Sequence, residues 1–332
     1  MELLDLLKTL NAAHGPAGDE GGIRDVISGL VQGLADEVCV DTMGNLIVHK
    51  SGTGPKVMFA AHMDSIGFVV THFEKEGFLR VGRLGGVTPG EVAYTPVRFK
   101  NGVRGVFVPE EKADFGKLKL DECYLDIGAS SEEEARTLVR LGDTAVYDTN
   151  TFKTNCHKVV SPYMDNRISC AVLLAALQEL DACTNDLYFV FTAQEEVGIR
   201  GAKTAAWSIA PDYGIAVDVT DVDDTPGSRK SGTAQLGKGA AIKVMDSSVI
   251  CYPVVVETLE RLASGAKIPA QKDILRAGGT DAGAIHVTRD GVLTGGISVP
   301  CRYIHTPAEM VDERDVRACV DLVVEFSKSN LN

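Results

Sequence analysis

Two histidines and four carboxylates in this chain are of the types that hold divalent cations, and most of them close an apolar run. His62 ends "VMFAAH", Glu195 and Glu196 follow "LYFVF", Asp218 ends "YGIAVD" and His305 follows "SVPCRYI". Asp165 differs, lying in "SPYMDNR" where a loop leads into a helix. Two imidazoles and three carboxylates (His62, Asp165, Glu196, Asp218 and His305) can hold two ions if one carboxylate bridges. Glu195 is then left over as a general base: a cation lowers the pKa of a water, and the free carboxylate takes its proton. Asp64, two residues beyond His62, faces the same way at strand spacing and can orient the imidazole. Each residue alone has a plainer reading. Asp165 would be a helix cap, the adjacent glutamates a solvated loop, Asp218 a turn residue and His305 a structural histidine. Their convergence favours chemistry, because open α/β sheets gather ligand sites at the carboxyl ends of strands. The chemistry expected is hydrolysis.

Positioning such a set takes a sizeable core. The 332 residues are 45% hydrophobic, enough for one large domain or two smaller ones, and 34 glycines suit the tight turns of an α/β protein. A net charge of −13 argues against nucleic acid as a partner. None of the eight cysteines falls at CxxC spacing, which reads as reduced, buried thiols in a cytoplasmic protein. The N-terminus, "MELLDLLKTLNAAH", is an amphipathic acidic helix with no basic n-region, and no run is long enough to span a membrane.

The periodicity gives two helices first, then strands in "EVCVDTMGNLIVHK" and "KVMFAAHMD", with Met-Gly-Asn as a hairpin turn. From about 66 to 157 the chain breaks into short β-runs, interrupted by a helix with a capping box at Ser130 and Glu133. This reads as a small β-domain inserted into an α/β unit formed by residues 1–65 and 158–332. The α/β rhythm then resumes: a long helix through "ISCAVLLAAL", alternating strands and helices, strand-like "VLTGGISVP" and "RYIHT", and a closing helix. The stretch "RAGGTDAGAIH" lacks the GxxxxGK[ST] order of a phosphate loop. It is either a turn or a wall of a substrate cleft, and it supplies Gly279, Thr280 and Asp281 as candidate substrate contacts. Arg302, with Lys238 and Arg276, is a candidate for a basic pocket.

Several of these segments occur in a familiar order. "AAHMDSIGF", "SPYMDNR", "TAQEEVGIRGA", "AVDVT", "LGKG", "GGTDAGAI" and "SVPCRYIHTP" resemble the M42 family of cocatalytic metallo-aminopeptidases, and the resemblance extends through the insert in "RLGGVTPGE" and "LDIGASSEEEA". It implies a zinc-peptidase-like mixed sheet flanked by helices, with a PDZ-like inserted domain. It assigns His62, Asp165 and Asp218 to one metal and Asp165, Glu196 and His305 to the other. Glu195 would be the base and Asp64 the residue that orients His62. It further implies two divalent ions (zinc first, cobalt or manganese as substitutes), short peptides as substrates and a homododecamer built from dimers. "GPAGDEGG" departs from the family's Ser-Gly-x-Glu run but touches no ligand. Two rival readings are a metal-independent glycosidase using Asp64 with Glu195 and a non-catalytic peptide-binding shell protein.

Overall fold

The computed structural model describes residues 2–181, 183–228 and 232–331. Two amphipathic helices, α1 (Leu3–Ala12) and α2 (Gly21–Leu30), lead into a hairpin, β1 (Glu37–Val40) and β2 (Leu46–Lys50). Its turn is closed by Gly44 at φ +95° and by the Asp41 carboxylate, which accepts from the Asn45 amide at 2.9 Å. Next comes β3 (Lys56–His62), buried at every position after its first. Such a continuous apolar run is what a strand covered on both faces requires.

The chain then leaves the sheet. Strands β4 (Gly67–Phe73), β5 (Leu79–Leu84), β6 (Pro96–Phe99), β7 (Arg104–Pro109), β8 (Cys123–Asp126) and β9 (Thr144–Tyr147) close a barrel in the order β4-β5-β8-β7-β6-β9. Phe68, Val97, Phe99, Phe107 and Leu125 fill it, with Phe68 and Phe107 stacked at 4.8 Å between centroids. Helix α3 (Glu132–Leu138) covers part of it. Its cap is Ser131, not Ser130. The Ser131 hydroxyl accepts from the Glu134 amide, and the Glu134 carboxylate accepts from the Ser130 amide, so the expected box is displaced by one residue. Ser131 has the extended backbone a cap needs, and its own Ser-x-x-Glu spacing serves equally well.

The return passes through β10 (Phe152–Lys153) and β11 (Lys158–Ser161), both in the large sheet. There follow α4 (Met164–Glu179), β12 (Asp186–Thr192), α5 (Arg200–Ile209), β13 (Tyr213–Asp221), β14 (Ala240–Met245), α6 (Pro253–Ala266), β15 (Ala270–Ile274), the short α7 (Ala282–Ile285), β16 (Leu293–Arg302), β17 (Glu309–Asp312) and α8 (Glu313–Lys328). The main path of the sheet is β1-β2-β12-β3-β13-β16-β17-β11-β10, with β14 and β15 branching from β16. Strands β12, β3, β13 and β16 run parallel, so their carboxyl ends share one edge. Helix α4 is apolar on nearly all sides because it lies between the sheet and α1 and α8. Phe59 of β3 stacks on Phe189 of β12 and meets Phe326 of α8 edge-on. The fold is thus an α/β mixed sheet with helices, carrying an inserted six-strand barrel.

Two further sequence expectations are corrected. "RYIHT" is not a strand: β16 ends at Arg302, and Tyr303 and His305 adopt φ +61° and +66°. The cysteines are unpaired, but Cys39 and Cys156 are exposed rather than buried.

Candidate metal centre

The carboxyl edge of the parallel strands collects the candidate ligands. His62 is the last residue of β3 and pairs with Thr192, the last of β12. Asp218 lies inside β13, not at its end, with Oδ1 accepting from the Val219 amide at 2.8 Å. Asp165 stands near the start of α4 but is no cap: its φ and ψ are non-helical, it follows Tyr163 at φ +60°, and its peptide to Asn166 is cis. Asn166 donates from Nδ2 to the Val217 carbonyl at 3.0 Å, tying this kink to β13.

Distances place Asp165 between two imidazoles. Its Oδ1 is 3.0 Å from His62 Nε2, and its Oδ2 is 3.2 Å from His305 Nε2. His62 Nε2 is also 3.8 Å from Asp218 Oδ1, and His305 Nε2 is 3.3 Å from Glu196 Oε2. Two candidate metal-binding groups result, His62 with Asp165 and Asp218, and Asp165 with Glu196 and His305, their ligand atoms within 4.8 Å of one another. Glu195 belongs to neither, and its Oε2 is 3.9 Å from His62 Nε2.

Three acids hold this constellation through backbone amides. Asp64 is completely buried, and its two oxygens accept from the Glu195 and Glu196 amides at 3.0 and 3.2 Å. The Asp64 carbonyl lies 3.1 Å from His62 Nδ1. Glu309, which the sequence reading missed, accepts from the Asp165 and His305 amides at 2.9 and 2.7 Å. Glu20, also missed, accepts from the Gly18 amide and from Gln194, whose φ is +56°. It lies in the "GPAGDEGG" loop. The only signal for either residue was an acid near a motif, which is too common to carry weight.

The electrostatics are those of a cation site. Burial pushes Glu195 and Asp218 well above the usual carboxylate range and raises Glu196, and the imidazoles offset this only in part. Burial also pushes Asp165 up, but hydrogen bonds from His305 and His62 outweigh it and hold that carboxyl below its ordinary value. Both imidazoles resist burial for the same reason: Asp165 and Asp64 lift His62, and Asp165 and Glu196 lift His305 to about 12. Glu196 Oε1 is buried with no hydrogen-bond partner among the described residues. Carboxylates packed this closely repel one another, and divalent cations would offset that repulsion. The donor set, imidazole with carboxylate, suits zinc, cobalt or manganese.

Of the substrate-contact candidates, Gly279 and Arg302 line a cleft of about 1340 Å³ that opens over the ligands. Arg302 is engaged, its Nε 2.7 Å from Asp224 Oδ1. Thr280 is buried and donates to Asp246 Oδ2 at 3.2 Å. Asp281 is buried too, accepting from Thr192 Oγ1 at 2.5 Å, and burial raises its carboxyl to about 6. The barrel contributes Gly86 and Glu91 to the cleft wall.

The profile of the family described as M42 glutamyl aminopeptidase matches residues 44–322. The chain belongs to that family. A relative, a putative aminopeptidase of Acetivibrio thermocellus, is 47% identical over 325 residues, covering 98% of each chain. An aminopeptidase from the archaeon Desulfurococcus kamchatkensis superposes with a TM-score of 0.95 at 38% identity, over 99% of this chain and 95% of that one. A Pyrococcus horikoshii TET1 peptidase, which can assemble into a tetrahedron or a large octahedral shell, gives 0.90 at 30% identity, over 99% of this chain and all of its own. The enzyme is thus an aminopeptidase of the M42 metallopeptidase family, with two candidate metal-binding groups along the carboxyl edge of the parallel strands.

Proposed function

We propose that this M42 enzyme removes N-terminal residues from short peptides with two divalent ions held by a shared aspartate. The observation that carries the reading is Asp165, whose two oxygens face different imidazoles. His62, Asp165 and Asp218 would hold one ion, and Asp165, Glu196 and His305 the other. Zinc is the expected occupant, with cobalt or manganese as substitutes. Cations held by these residues would supply Lewis acidity toward the scissile carbonyl and would lower the pKa of the attacking water.

The chain's own groups do the rest. Glu195 accepts the proton of the water as it attacks the carbonyl carbon, then returns it to the departing amine. Asp64 fixes the Glu195 and Glu196 amides and backs His62, so base and ligands move as a unit. The cleft walls exclude bulk water and accept the peptide's side chains. Residues 1–65 and 158–332 act as the catalytic unit, and 66–157 as an insert that shapes access and assembly. Self-association as a homododecamer built from dimers would confine the reaction to peptides able to enter a shell.

The test is hydrolysis of aminoacyl-p-nitroanilides before and after chelation, with Zn²⁺ or Co²⁺ restored. Cleavage lost with the chelator and regained with metal is expected. Cleavage that survives complete metal removal would sink the dinuclear reading.

A further inference from the structure

The two metal groups are walled differently. Around His62 and Asp218 the neighbours are strands of the large sheet. Against Glu196 and His305 stands the barrel, through Gly85 and Gly86 just beyond β5. A Cβ built on Gly86 would lie 2.4 Å from His305 Nδ1 and 2.6 Å from Cε1, and the third nearest atom is Cγ of the same ring at 3.6 Å. These distances are shorter than any real carbon contact, so the imidazole rests on the backbone of residue 86. A Cβ on Gly85 would meet Ile66 Cγ2 at 2.7 Å and Glu196 Oε2 at 2.9 Å, and Gly85 is in the left-handed region at φ +79°. His305 has less support from its own segment. It sits in a turn at φ +66°, and its side chain is 31% exposed, against 2% for His62.

We propose that Gly86 is a positioning residue for the second metal group, the barrel's backbone at that point being the seat of the His305 imidazole. A side chain there displaces the ring from Asp165 Oδ2 and Glu196 Oε2 while leaving His62 and Asp218 in place. Gly86 is a cleaner probe than Gly85, where any side chain also strains the backbone. The inference rests on the dinuclear reading above and adds a consequence to it. The insert is then coupled to one ion and not to the other, so docking of the barrel and occupancy of the Glu196/His305 group favour each other.

Zn²⁺ bound per chain, measured by equilibrium dialysis on the full-length wild type and Gly86→Ala, tests this without reference to activity. The wild type should hold two equivalents. The variant should keep one near wild-type affinity and bind the second about 10–100-fold more weakly, the usual cost of disturbing a ligand's support. Two equivalents at wild-type affinity overturn the inference, as does equal weakening of both. A wild type that holds fewer than two overturns the dinuclear reading, and the inference with it. If Gly86→Ala does not fold, Gly86→Ala combined with His305→Ala should melt where His305→Ala alone does, because the ring is the obstruction. A further loss of stability in the double variant would show that the glycine serves the barrel instead.

Discussion

Glu195 and Glu196 are neighbours in the chain with opposite assignments, and the geometry separates them. Glu196 Oε2 is 3.3 Å from His305 Nε2 and lies within a ligand group, whereas Glu195 stands outside both groups near His62. Adjacent side chains diverge, so one can hold an ion while the other reaches the water between them. Glu195→Gln keeps the shape and removes the base. It should lower kcat by about 100-fold or more while metal analysis still finds two ions per chain. Glu309 makes the complementary case, accepting from the amides of two candidate ligands, Asp165 and His305. Glu309→Ala should raise sensitivity to chelators by about 10–100-fold, read as the EDTA concentration that halves activity. Glu309→Gln, which keeps an acceptor oxygen, should recover part of that loss.

Between elements, the seam of barrel and sheet is polar where it meets the N-terminal segment. His14 Nε2 lies 2.8 Å from Thr144 Oγ1 of β9, Arg98 of β6 donates to the Ala12 carbonyl at 3.0 Å, and Lys100 pairs with Asp19 at 2.6 Å. Burial lowers the His14 pKa from 6.5 to about 4, with Arg98 and Lys100 adding to the shift and Asp19 opposing it. Between these values the unfolded chain binds a proton that the folded chain rejects. The stability His14 contributes is therefore full above pH 6.5 and is lost as pH falls toward about 4. His14→Gln should flatten that part of the pH–stability curve, measured as thermal midpoints from pH 4 to 8. An unchanged slope would mean that other groups dominate acid unfolding.

At the scale of the whole molecule, assembly is the open variable. A homododecamer predicts a sedimentation mass twelve times that of the chain, and a mass of one or two chains would remove the shell from the proposal. The −13 net charge keeps copies apart until specific contacts form. Much of the molecule was legible before any coordinates. The apolar runs that lead to His62 and Glu195 mark strands covered on both faces, whereas the run before Asp218 continues as strand to Asp221 and carries its acid buried inside. The sparse, glycine-broken β-runs after Ser65 mark the insert for the same reason of period. Three features lay beyond the sequence. The turn that carries His305 resembles a strand in composition, yet His305 takes a left-handed backbone with its amide donating to Glu309. Thr280 and Arg302 have substrate-binding chemistry, and only the fold shows that Thr280 is buried against Asp246 while Arg302 lines the cleft paired with Asp224. Glu20, Asp64 and Glu309 each accept from an amide far away in the chain, Gln194 for Glu20, Glu195 and Glu196 for Asp64, and Asp165 for Glu309. Sequence periodicity reports what a residue's own element requires, so it singled out the candidate ligands. Which buried acid supports which ligand depends on contacts between elements, and tertiary structure alone decides those.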